Sequence, residues 1–425
     1  MIIPSIDIIK GHAVQLVGGE KLELDAGNPI PLAEKFRIAG EIAVIDLDAA
    51  LGKGNNRKVI EKLCRIAKCR VGGGIRDLET AHHWLNAGAE KIIIGTKASP
   101  EFLKQLPKER LMAALDARHG EVVTEGWTKK TGVRIEDRIL ALSPYVSGFL
   151  ITFVEREGRL QGTDLTYVKK LRELTSVRLT IAGGVTTVKE IADLDALGAD
   201  AQVGMALYKG QMDLGEAICA PLQNISKHQG SKNANGSLWP TVVVNEMGVA
   251  LGLVWSDQES LCAAVKQQKG IYHSRSRGLW IKGETSGATQ ELLEISHDCD
   301  RDALCFRVRQ KAPGFCHLEA WTCFGEDRGL PKLFRLLQNR KKSAPKKSYT
   351  KRLFTEKNLL HSKIVEEAKE LTRAKNKKEV ILEASDVLYF TLVKMAKAGV
   401  SLQDVCDELD FRALKITRRG GEAKK

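Results

Sequence analysis

Short apolar runs rich in β-branched residues alternate with longer amphipathic stretches along the first half of the chain. The runs read IIPSID, IAVIDLD, CRVGGGI, KIIIGT, LMAALD, GFLITF, LTIAGGV and AQVGMAL. The stretches between them carry apolar residues at helical spacing, and this alternation is typical of parallel sheets with crossover helices. Eight strand-and-helix units in residues 1–222 predict a (β/α)₈ barrel.

An internal repeat supports this barrel. SIDIIKGHAV, which begins at Ser5, reappears as ALDARHGEVV at Ala114, so that Asp7 corresponds to Asp116. A repeat period of about 110 residues predicts two half-barrels. Asp7 and Asp116 would then end strands 1 and 5 and face each other across the mouth, where paired carboxylates suit general base and general acid catalysis.

Two sets of small residues follow predicted strands at loop–helix junctions, where open backbone N–H groups favour anions. The sets are Gly73, Gly74, Gly95 and Thr96, and Gly183, Gly184 and Gly204. Their positions in the two halves suit a substrate with a phosphate at each end. Tight strand-to-helix turns are the alternative explanation for the same glycines.

The pattern changes twice after the barrel. Residues 223–237, QNISKHQGSKNANGS, are polar and rich in Gly, Ser and Asn, which is typical of a flexible linker. Strand-like segments follow up to Cys323, and helical periodicity dominates beyond it. We therefore expect a barrel at 1–222, a linker at 223–237, and two smaller domains at 238–327 and 328–425.

Three carboxylates and one thiol alternate in the segment HDCDRDAL. If this segment is an extended strand, Asp298, Asp300 and Asp302 share one face and Cys299 lies on the other. Three clustered carboxylates repel one another unless a cation lies among them, and oxygen ligands of this kind suit Mg²⁺. A solvated turn is the alternative reading of the three aspartates.

Cys299 is followed by two further cysteines at Cys316 and Cys323. Three thiols with an open fourth position are typical of a catalytic zinc site. The run SRSRGLWIKGETSG, which begins at Ser274, precedes them and carries the cations and hydroxyls that suit phosphate. Cysteines that are merely small buried apolar residues are the alternative.

Two pairs of carboxylates lie on predicted helices near the C-terminus. Glu367 and Glu370 are three residues apart, as are Glu383 and Asp386, so each pair shares one helix face. Two helices that meet through these faces would hold Mg²⁺ with four carboxylates. Solvated surface charge is the alternative, but apolar neighbours such as Leu388 favour a buried second pair.

Composition narrows the functional classes. The chain has 425 residues, of which 43% are hydrophobic and 28% charged, as expected of a globular protein with two or three domains. No apolar run reaches membrane-spanning length, no signal peptide precedes the first strand, and nine thinly spread cysteines indicate free thiols in a reducing cytoplasm. The net charge of +13 is strongest in residues 335–357 and 418–425, so we expect phosphorylated small molecules as partners, with neither nucleic acid nor a membrane.

The segment HDCDRDAL and its surroundings, residues 239–326, resemble phosphoribosyl-AMP cyclohydrolase, a small α+β metal-binding enzyme. The resemblance implies zinc at the three cysteines, magnesium at the three aspartates, and His317 close to the reacting water. It also implies a homodimer, because cysteines of two subunits complete the family's zinc site. The substrate-binding residues that it indicates are Ser274, Arg275, Ser276, Arg277 and Lys282.

Residues 1–222 resemble phosphoribosylformimino-AICAR ribotide isomerase, which converts an aminoaldose to an aminoketose. The resemblance implies that Asp7 is the general base and Asp116 the general acid. It further implies that Thr152, in ITFVEREGRLQG, contacts the substrate and that Trp127, in the EGW motif, stacks on it.

Three barrel residues depart from that family's pattern. Gln15 and Met205 stand where the family has arginine, and Phe153 stands where an acidic residue is common. These departures indicate either an altered grip on phosphate or a barrel that has drifted toward a structural role.

Residues 328–425 resemble phosphoribosyl-ATP pyrophosphohydrolase, an all-α, MazG-like family, on the ExxE and ExxD pairs and on SYTKRLF and KIVEEAKE. The resemblance implies that Glu367, Glu370, Glu383 and Asp386 bind magnesium, with Glu366 close enough to substitute for one of them or to assist. Arg352 and Lys363 are then candidates for phosphate contacts.

The three resemblances name successive reactions, so the sequence predicts a trifunctional histidine-biosynthesis enzyme. It would remove pyrophosphate from phosphoribosyl-ATP, open the purine ring of phosphoribosyl-AMP, and isomerise the resulting aminoaldose. One alternative is a bifunctional enzyme whose barrel is weakly active or structural. Another is a non-catalytic metal protein that binds nucleotides or nucleic acid.

Overall fold

The computed structural model describes residues 1–124, 127, 129–222, 238–345 and 347–417. Two compact units make up the chain, one of Met1–Phe315 with Leu414–Lys425 and one of Cys316–Ala413. The predicted linker 223–237 and the basic tail 418–425 lie outside the described residues.

The first sheet of the larger unit has twelve strands. They are β1 (Ile2–Ile9), β2 (His12–Val17), β3 (Lys21–Gly27), β4 (Glu41–Asp46), β5 (Lys68–Gly72), β6 (Lys91–Ile94), β7 (Leu111–Arg118), β8 (Glu121–Thr124), β9 (Lys129–Arg134), β10 (Gly148–Phe153), β11 (Arg178–Ala182) and β12 (Ala199–Val203). The helices between them are α1 (Pro29–Phe36), α2 (Leu47–Ala50), α3 (Arg57–Ile66), α4 (Leu78–Asn86), α5 (Pro100–Leu103), α6 (Ile135–Leu142), α7 (Leu165–Glu173), α8 (Val188–Ala196), α9 (Met205–Tyr208) and α10 (Leu214–Cys219).

Eight of these strands close into a parallel barrel in the order β1, β4, β5, β6, β7, β10, β11, β12, and β12 pairs with β1. The predicted (β/α)₈ barrel is therefore confirmed, and each predicted apolar run supplies one strand. The remaining strands form antiparallel hairpin extensions after β1 and after β7, the first strands of the two repeats.

Buried charges pair with one another between neighbouring barrel strands. Arg70 on β5 pairs with Glu41 and with Asp200, and its guanidinium donates to the Thr180 hydroxyl at 2.9 Å. Burial opposes ionisation of Asp200, but its hydrogen bond to Arg178 holds the pKa of that carboxyl well below its usual range. The charges buried here are therefore paired with one another and not left isolated.

The larger unit continues into a six-stranded sheet in the order β16, β15, β14, β13, β18, β17, with one helix, α11 (Gln258–Gln267). The strands are β13 (Trp239–Val244), β14 (Ala250–Ser256), β15 (Ile271–Ser274), β16 (Gly278–Ile281), β17 (Gln290–His297) and β18 (Leu304–Gln310). All neighbours are antiparallel except β13 and β18. This is the predicted small α+β fold.

The smaller unit contains α12 (Gly329–Ser343), α13 (Tyr349–Thr355), α14 (Leu359–Arg373), α15 (Lys377–Ala398) and α16 (Leu402–Ala413). Its core includes Phe334, Leu337, Leu353, Phe390 and Val393, each nearly inaccessible to solvent. The predicted all-α domain is confirmed. Among the described helices, none is both long and apolar enough to cross a membrane.

Candidate active sites

A cavity of about 670 Å³ opens at the C-terminal ends of the barrel strands. It is lined by eight of the residues predicted from sequence, namely Asp7, Gly73, Gly74, Gly95, Thr96, Asp116, Trp127 and Thr152. Parallel strands present their carboxyl ends at one rim of a barrel, so residues distant in sequence meet there. The cavity is the candidate isomerase site.

Asp7 and Asp116 lie at corresponding positions near the ends of β1 and β7. Burial raises the pKa of Asp7 to about 7, against the opposing hydrogen bond from the Ser5 hydroxyl at 3.4 Å. Burial also raises the pKa of Asp116, although Trp127 and Thr152 donate hydrogen bonds to its carboxylate. A carboxyl whose pKa is raised to about 7, as that of Asp7 is, can exchange protons with a substrate at physiological pH.

A third carboxyl, that of Glu157, lines the same cavity. Its pKa rises to about 8, first because it is buried and then because the carboxylates of Asp7 and Asp116 repel its charge. Glu157 was not among the residues predicted from the sequence. The available signal was its position just beyond β10, in the same segment as Thr152, where barrel side chains turn toward the mouth.

Backbone conformation explains why two residues of the first set, Gly73 and Gly74, are glycines, and both also line the cavity. Gly73 and Gly74 have φ values of +96° and +70°, and a Cβ at Gly74 would lie 2.6 Å from that of Ala49 in α2. A tight turn therefore accounts for glycine at both positions. The same turn leaves them on the cavity wall, so the two explanations are compatible.

Gly183, Gly184 and Gly204 are not among the described residues that line the cavity. A Cβ at Gly184 would lie 2.6 Å from the Gly162 carbonyl oxygen, and the Gly162 N–H donates to the Gly184 carbonyl at 2.9 Å. At Gly204 a Cβ would lie 2.5 Å from the Gln15 amide oxygen. The second glycine set is thus packed against other protein groups in this structure.

The three-aspartate segment is not a strand, so that prediction of local structure is wrong. Residues 298–303 form a loop between β17 and β18, closed because Asp298 N–H donates to the Ala303 carbonyl and Ala303 N–H donates to the Asp298 carboxylate, both at 3.1 Å. Arg301 has a φ of +67°, which breaks the two-residue alternation of a strand.

The loop nevertheless gathers Asp298, Asp300 and Asp302, whose oxygens lie within 4.8 Å of one another. Partial burial of Asp298 opposes ionisation, but the Ala303 N–H and contacts with the other two carboxyls hold its pKa below the usual value. Close, ionised oxygens fit a hard divalent cation.

The predicted phosphate run lies on and after β15. The guanidinium groups of Arg275 and Arg277 are exposed and stack on Trp255 and Trp280, each 5.6 Å from the ring centre. The hydroxyls of Ser274 and Ser276 lie 3.3 Å apart. Lys282, in contrast, is buried and directs its amine toward the Ala288 carbonyl at 3.5 Å.

All nine cysteines are free thiols. Cys299 is exposed in the three-aspartate loop of the larger unit, while Cys316 and Cys323 belong to the smaller unit. The sulfur of Cys316, which is half-buried, lies 4.0 Å from Nδ1 of the exposed His317. These thiols are chemically suited to zinc.

Helices α14 and α15 bring Glu367, Glu383 and Asp386 together, with oxygens within 4.8 Å of one another. Glu367 is buried, Glu383 is half-buried and Asp386 is exposed. The apolar neighbours of Glu383 and Asp386 predicted that both would be buried, and this holds only in part. Partial burial and then the charge of Glu370 raise the pKa of Glu383, which places Glu370 close to the cluster.

The two predicted phosphate-contacting cations of the smaller unit already have acidic partners. Lys363 pairs with Glu367 at 2.8 Å and with Glu366 at 2.9 Å. Arg352 pairs with Glu356 at 2.6 Å and remains half exposed. Lys363 therefore contacts the carboxylate cluster directly, whereas Arg352 contacts the exposed residue that follows its own helix.

Comparison with known proteins bears on these sites. A family model described as histidine biosynthesis protein matches residues 1–213, which is half of the chain. The chain belongs to the histidine biosynthesis protein family. Models described as phosphoribosyl-AMP cyclohydrolase and phosphoribosyl-ATP pyrophosphohydrolase match residues 252–325 and 330–413. The three predicted resemblances are confirmed, in the predicted order.

The names of similar proteins agree with these family matches. It is 37% identical over 231 residues to an imidazole-4-carboxamide isomerase of Methanocaldococcus jannaschii, covering 51% of this chain and 98% of that protein. It is 53% identical to the Histidine biosynthesis trifunctional protein of Neurospora crassa and 50% identical to the Histidine biosynthesis bifunctional protein his7 of Schizosaccharomyces pombe. Each alignment covers 44% of this chain, but only 21% and 45% of those relatives, so the chain spans less than half of the two fungal proteins that it matches.

Proposed function

We propose that the chain catalyses three histidine-biosynthesis reactions. It releases pyrophosphate from phosphoribosyl-ATP, opens the purine ring of phosphoribosyl-AMP, and isomerises the resulting aminoaldose to an aminoketose. The observation that carries the proposal is that each matched segment contains its own cluster of reactive groups: the barrel mouth, the three-aspartate loop and the α14–α15 carboxylates. The proposed domain limits are 1–222, 238–327 and 328–425, joined by a linker at 223–237.

In the barrel, Asp7 acts as the base and Asp116 as the acid. Converting an aminoaldose to an aminoketose requires removal of the proton on C2 and return of a proton at C1. Asp7, with a pKa raised to about 7, holds an ionised fraction at neutral pH that can accept the first proton. Burial also raises the pKa of Asp116, which favours the protonated form that a general acid needs. Trp127 and Thr152 orient the Asp116 carboxyl through their hydrogen bonds.

We predict that isomerase activity depends on pH through Asp7. The base is inactive when protonated, so kcat/KM should rise as the pH increases through about 7, the value to which burial raises the Asp7 pKa. An ordinary aspartate would give a rise near pH 4. A kcat/KM profile between pH 5 and 9 measures this midpoint. A flat profile above pH 5.5 would contradict the assignment of Asp7 as a base with a raised pKa.

Metal ions belong to the other two sites. Asp298, Asp300 and Asp302 would hold Mg²⁺ in the larger unit, and Glu367, Glu370, Glu383 and Asp386 would hold Mg²⁺ in the smaller one. Cys299, Cys316 and Cys323 would hold Zn²⁺. When bound, such ions supply an acidified water at neutral pH and neutralise phosphate charge. The exposed Arg275 and Arg277 would orient substrate phosphate, and His317 would carry a proton to or from the purine.

A homodimer is part of this proposal. Cys299 and Cys323 are exposed, as ligands shared between subunits must be before assembly. Thiolate ligands from two chains would make the zinc affinity dependent on protein concentration, because dilution separates the ligands.

Replacing Cys316 by Ser should lower bound zinc and slow ring opening at least about tenfold, because a hydroxyl is a poorer zinc ligand than a thiolate. Elemental analysis and a ring-opening assay would measure this. Cys406→Ser is the matched control, since Cys406 is also a half-buried free thiol but lies on α16 among acidic residues. Equal zinc content in both variants would contradict the assignment.

The whole proposal is tested by supplying phosphoribosyl-ATP with Zn²⁺ and Mg²⁺ to the purified chain and following all three products. Pyrophosphate without a ring-opened product would contradict the cyclohydrolase assignment. A ring-opened aminoaldose that accumulates without aminoketose would favour the bifunctional alternative. The observation that supports this alternative is that Gly183, Gly184 and Gly204 pack against other protein groups.

A further inference from the structure

The three-aspartate loop is attached to the barrel at two points. Arg301, which lies between Asp300 and Asp302, directs its guanidinium Nε to Asp195 Oδ2 at 2.9 Å. His297, immediately before the loop, places Nε2 2.9 Å from the Ile218 carbonyl oxygen of α10. The two contacts hold the first part of the loop, up to Arg301, against the N-terminal face of the barrel, opposite the mouth.

Asp195 is an unusual residue for its position. It lies in the last turn of α8, where the helix dipole disfavours a carboxylate. Its side chain is only 10% exposed, so water does little to offset that penalty. A cation such as Arg301 offsets it directly. The Met1 nitrogen also lies 2.8 Å from its other oxygen.

Arg301 is itself a potential competitor for the cation that the aspartates would bind. It is flanked in sequence by two of the three carboxylates, and a guanidinium among them would neutralise the charge that attracts a divalent ion. A guanidinium engaged by Asp195 is a weaker counterion for the aspartates. The contact therefore both holds the loop and keeps its negative charge available.

The barrel and the sheet domain are also in contact near these two attachment points. Lys68 at the start of β5 pairs with Glu294 of β17 at 2.7 Å. A Cβ at Gly215 of α10 would lie 2.7 Å from Cα of Cys262 in α11, so the two backbones are in close contact there. The attachment of the loop is therefore part of a wider contact between the barrel and the sheet domain.

We propose that Asp195, a barrel residue, is a positioning residue for the divalent-cation site of the neighbouring sheet domain. The inference rests on the proposed role of Asp298, Asp300 and Asp302 in binding magnesium. The barrel would then contribute to ring opening through its N-terminal face, independently of any isomerisation at its mouth.

The test measures Mn²⁺ binding by electron paramagnetic resonance in the full chain. A background of Glu367→Gln with Glu383→Gln removes the carboxylate cluster of the smaller unit from the signal. Asp300→Asn in this background identifies the Mn²⁺ that the loop binds. Asp195→Asn should weaken that binding about tenfold, as loss of an outer-shell partner does at metal sites, and Asp195→Glu should restore it.

Lys68→Gln is the matched control, because it removes another ion pair of the same interface without touching the loop. It should leave the Mn²⁺ affinity unchanged. Without the background substitutions, Asp195→Asn should raise the Mg²⁺ concentration needed for ring opening about tenfold while that for pyrophosphate release stays the same. If Asp195 served only to hold the interface together, Asp195→Asn and Lys68→Gln would change the Mn²⁺ affinity to the same extent.

Two results would overturn the inference and are distinguishable. If Mn²⁺ binding that depends on Asp300 is present but Asp195→Asn leaves its affinity unchanged, the positioning role fails and the proposed magnesium site survives. If the background chain binds no Mn²⁺ that depends on Asp300, the proposed magnesium site fails, and the positioning role with it.

Discussion

Replacing Asp7 by Asn should lower kcat/KM for isomerisation of the aminoaldose by about 10²–10⁴-fold, the usual contribution of a positioned acid or base. An amide is nearly the same shape as the carboxyl but cannot accept the C2 proton. Pyrophosphate release and ring opening should keep their rates, because Asp7 lines only the barrel cavity among the described sites. Assaying the three conversions separately in one preparation measures the effect.

A matched control and a stability measurement support this test. Asp25→Asn removes a carboxylate from the exposed strand β3 and should leave isomerisation intact. Burial raises the pKa of Asp7 from 3.8 to about 7, so the folded chain binds the Asp7 proton more tightly than the unfolded chain does. The resulting stabilisation of the folded chain is complete below about pH 4 and is lost as the pH rises through about 7. At pH 8 the Asp7→Asn chain should therefore melt at a higher temperature than the original. Unchanged isomerisation in a well-folded variant would favour a structural barrel.

Much of the barrel site could be predicted because it depends on local pattern and on repetition. Apolar runs gave the strands, and the internal repeat related Asp7 to Asp116 before any contact was known. Glu157 was missed because its position just beyond β10 does not by itself show that its carboxyl lies near those of Asp7 and Asp116. The repeat also suggested equal glycine sites in both halves. The segment after β10 breaks that symmetry, since its Gly162 packs on Gly184.

The three-aspartate segment shows where a periodic argument fails. Alternation of side chains requires an extended backbone, and here Arg301 adopts a left-handed conformation within a closed loop. The carboxylates still meet, but through the turn rather than through a shared strand face. The ion pair of Arg301 with Asp195 joins residues more than a hundred positions apart, so sequence spacing could not predict it.

In the smaller unit, helical spacing predicted which carboxylates share a face but not how deeply each lies. Glu366 and Glu367 are adjacent in sequence and both pair with Lys363. The Glu367 side chain is 7% exposed, whereas that of Glu366 is 50% exposed. Glu367 joins the cluster with Glu383 and Asp386, and Glu366 does not belong to the clusters found among the described residues.

Glu367→Gln should therefore lower pyrophosphate release by about 10²–10³-fold, because a bound metal contributes several kcal/mol of charge stabilisation and Glu367 is its most enclosed ligand. The amide keeps the size of the side chain but removes the charge that would attract the ion. Release of pyrophosphate from phosphoribosyl-ATP at saturating Mg²⁺ measures the effect, and ring opening of supplied phosphoribosyl-AMP should be unchanged.

Glu366→Gln is the matched control for that experiment, because it removes the same charge from the neighbouring residue and breaks the other half of the Lys363 pair. Its exposed carboxylate is screened by water, so we expect less than about a threefold change in pyrophosphate release. Equal losses in the two variants would mean that Glu366 also serves the metal, since loss of one Lys363 contact in each cannot by itself produce a hundredfold effect. Equal retention of activity would contradict the carboxylate cluster as the site of pyrophosphate release.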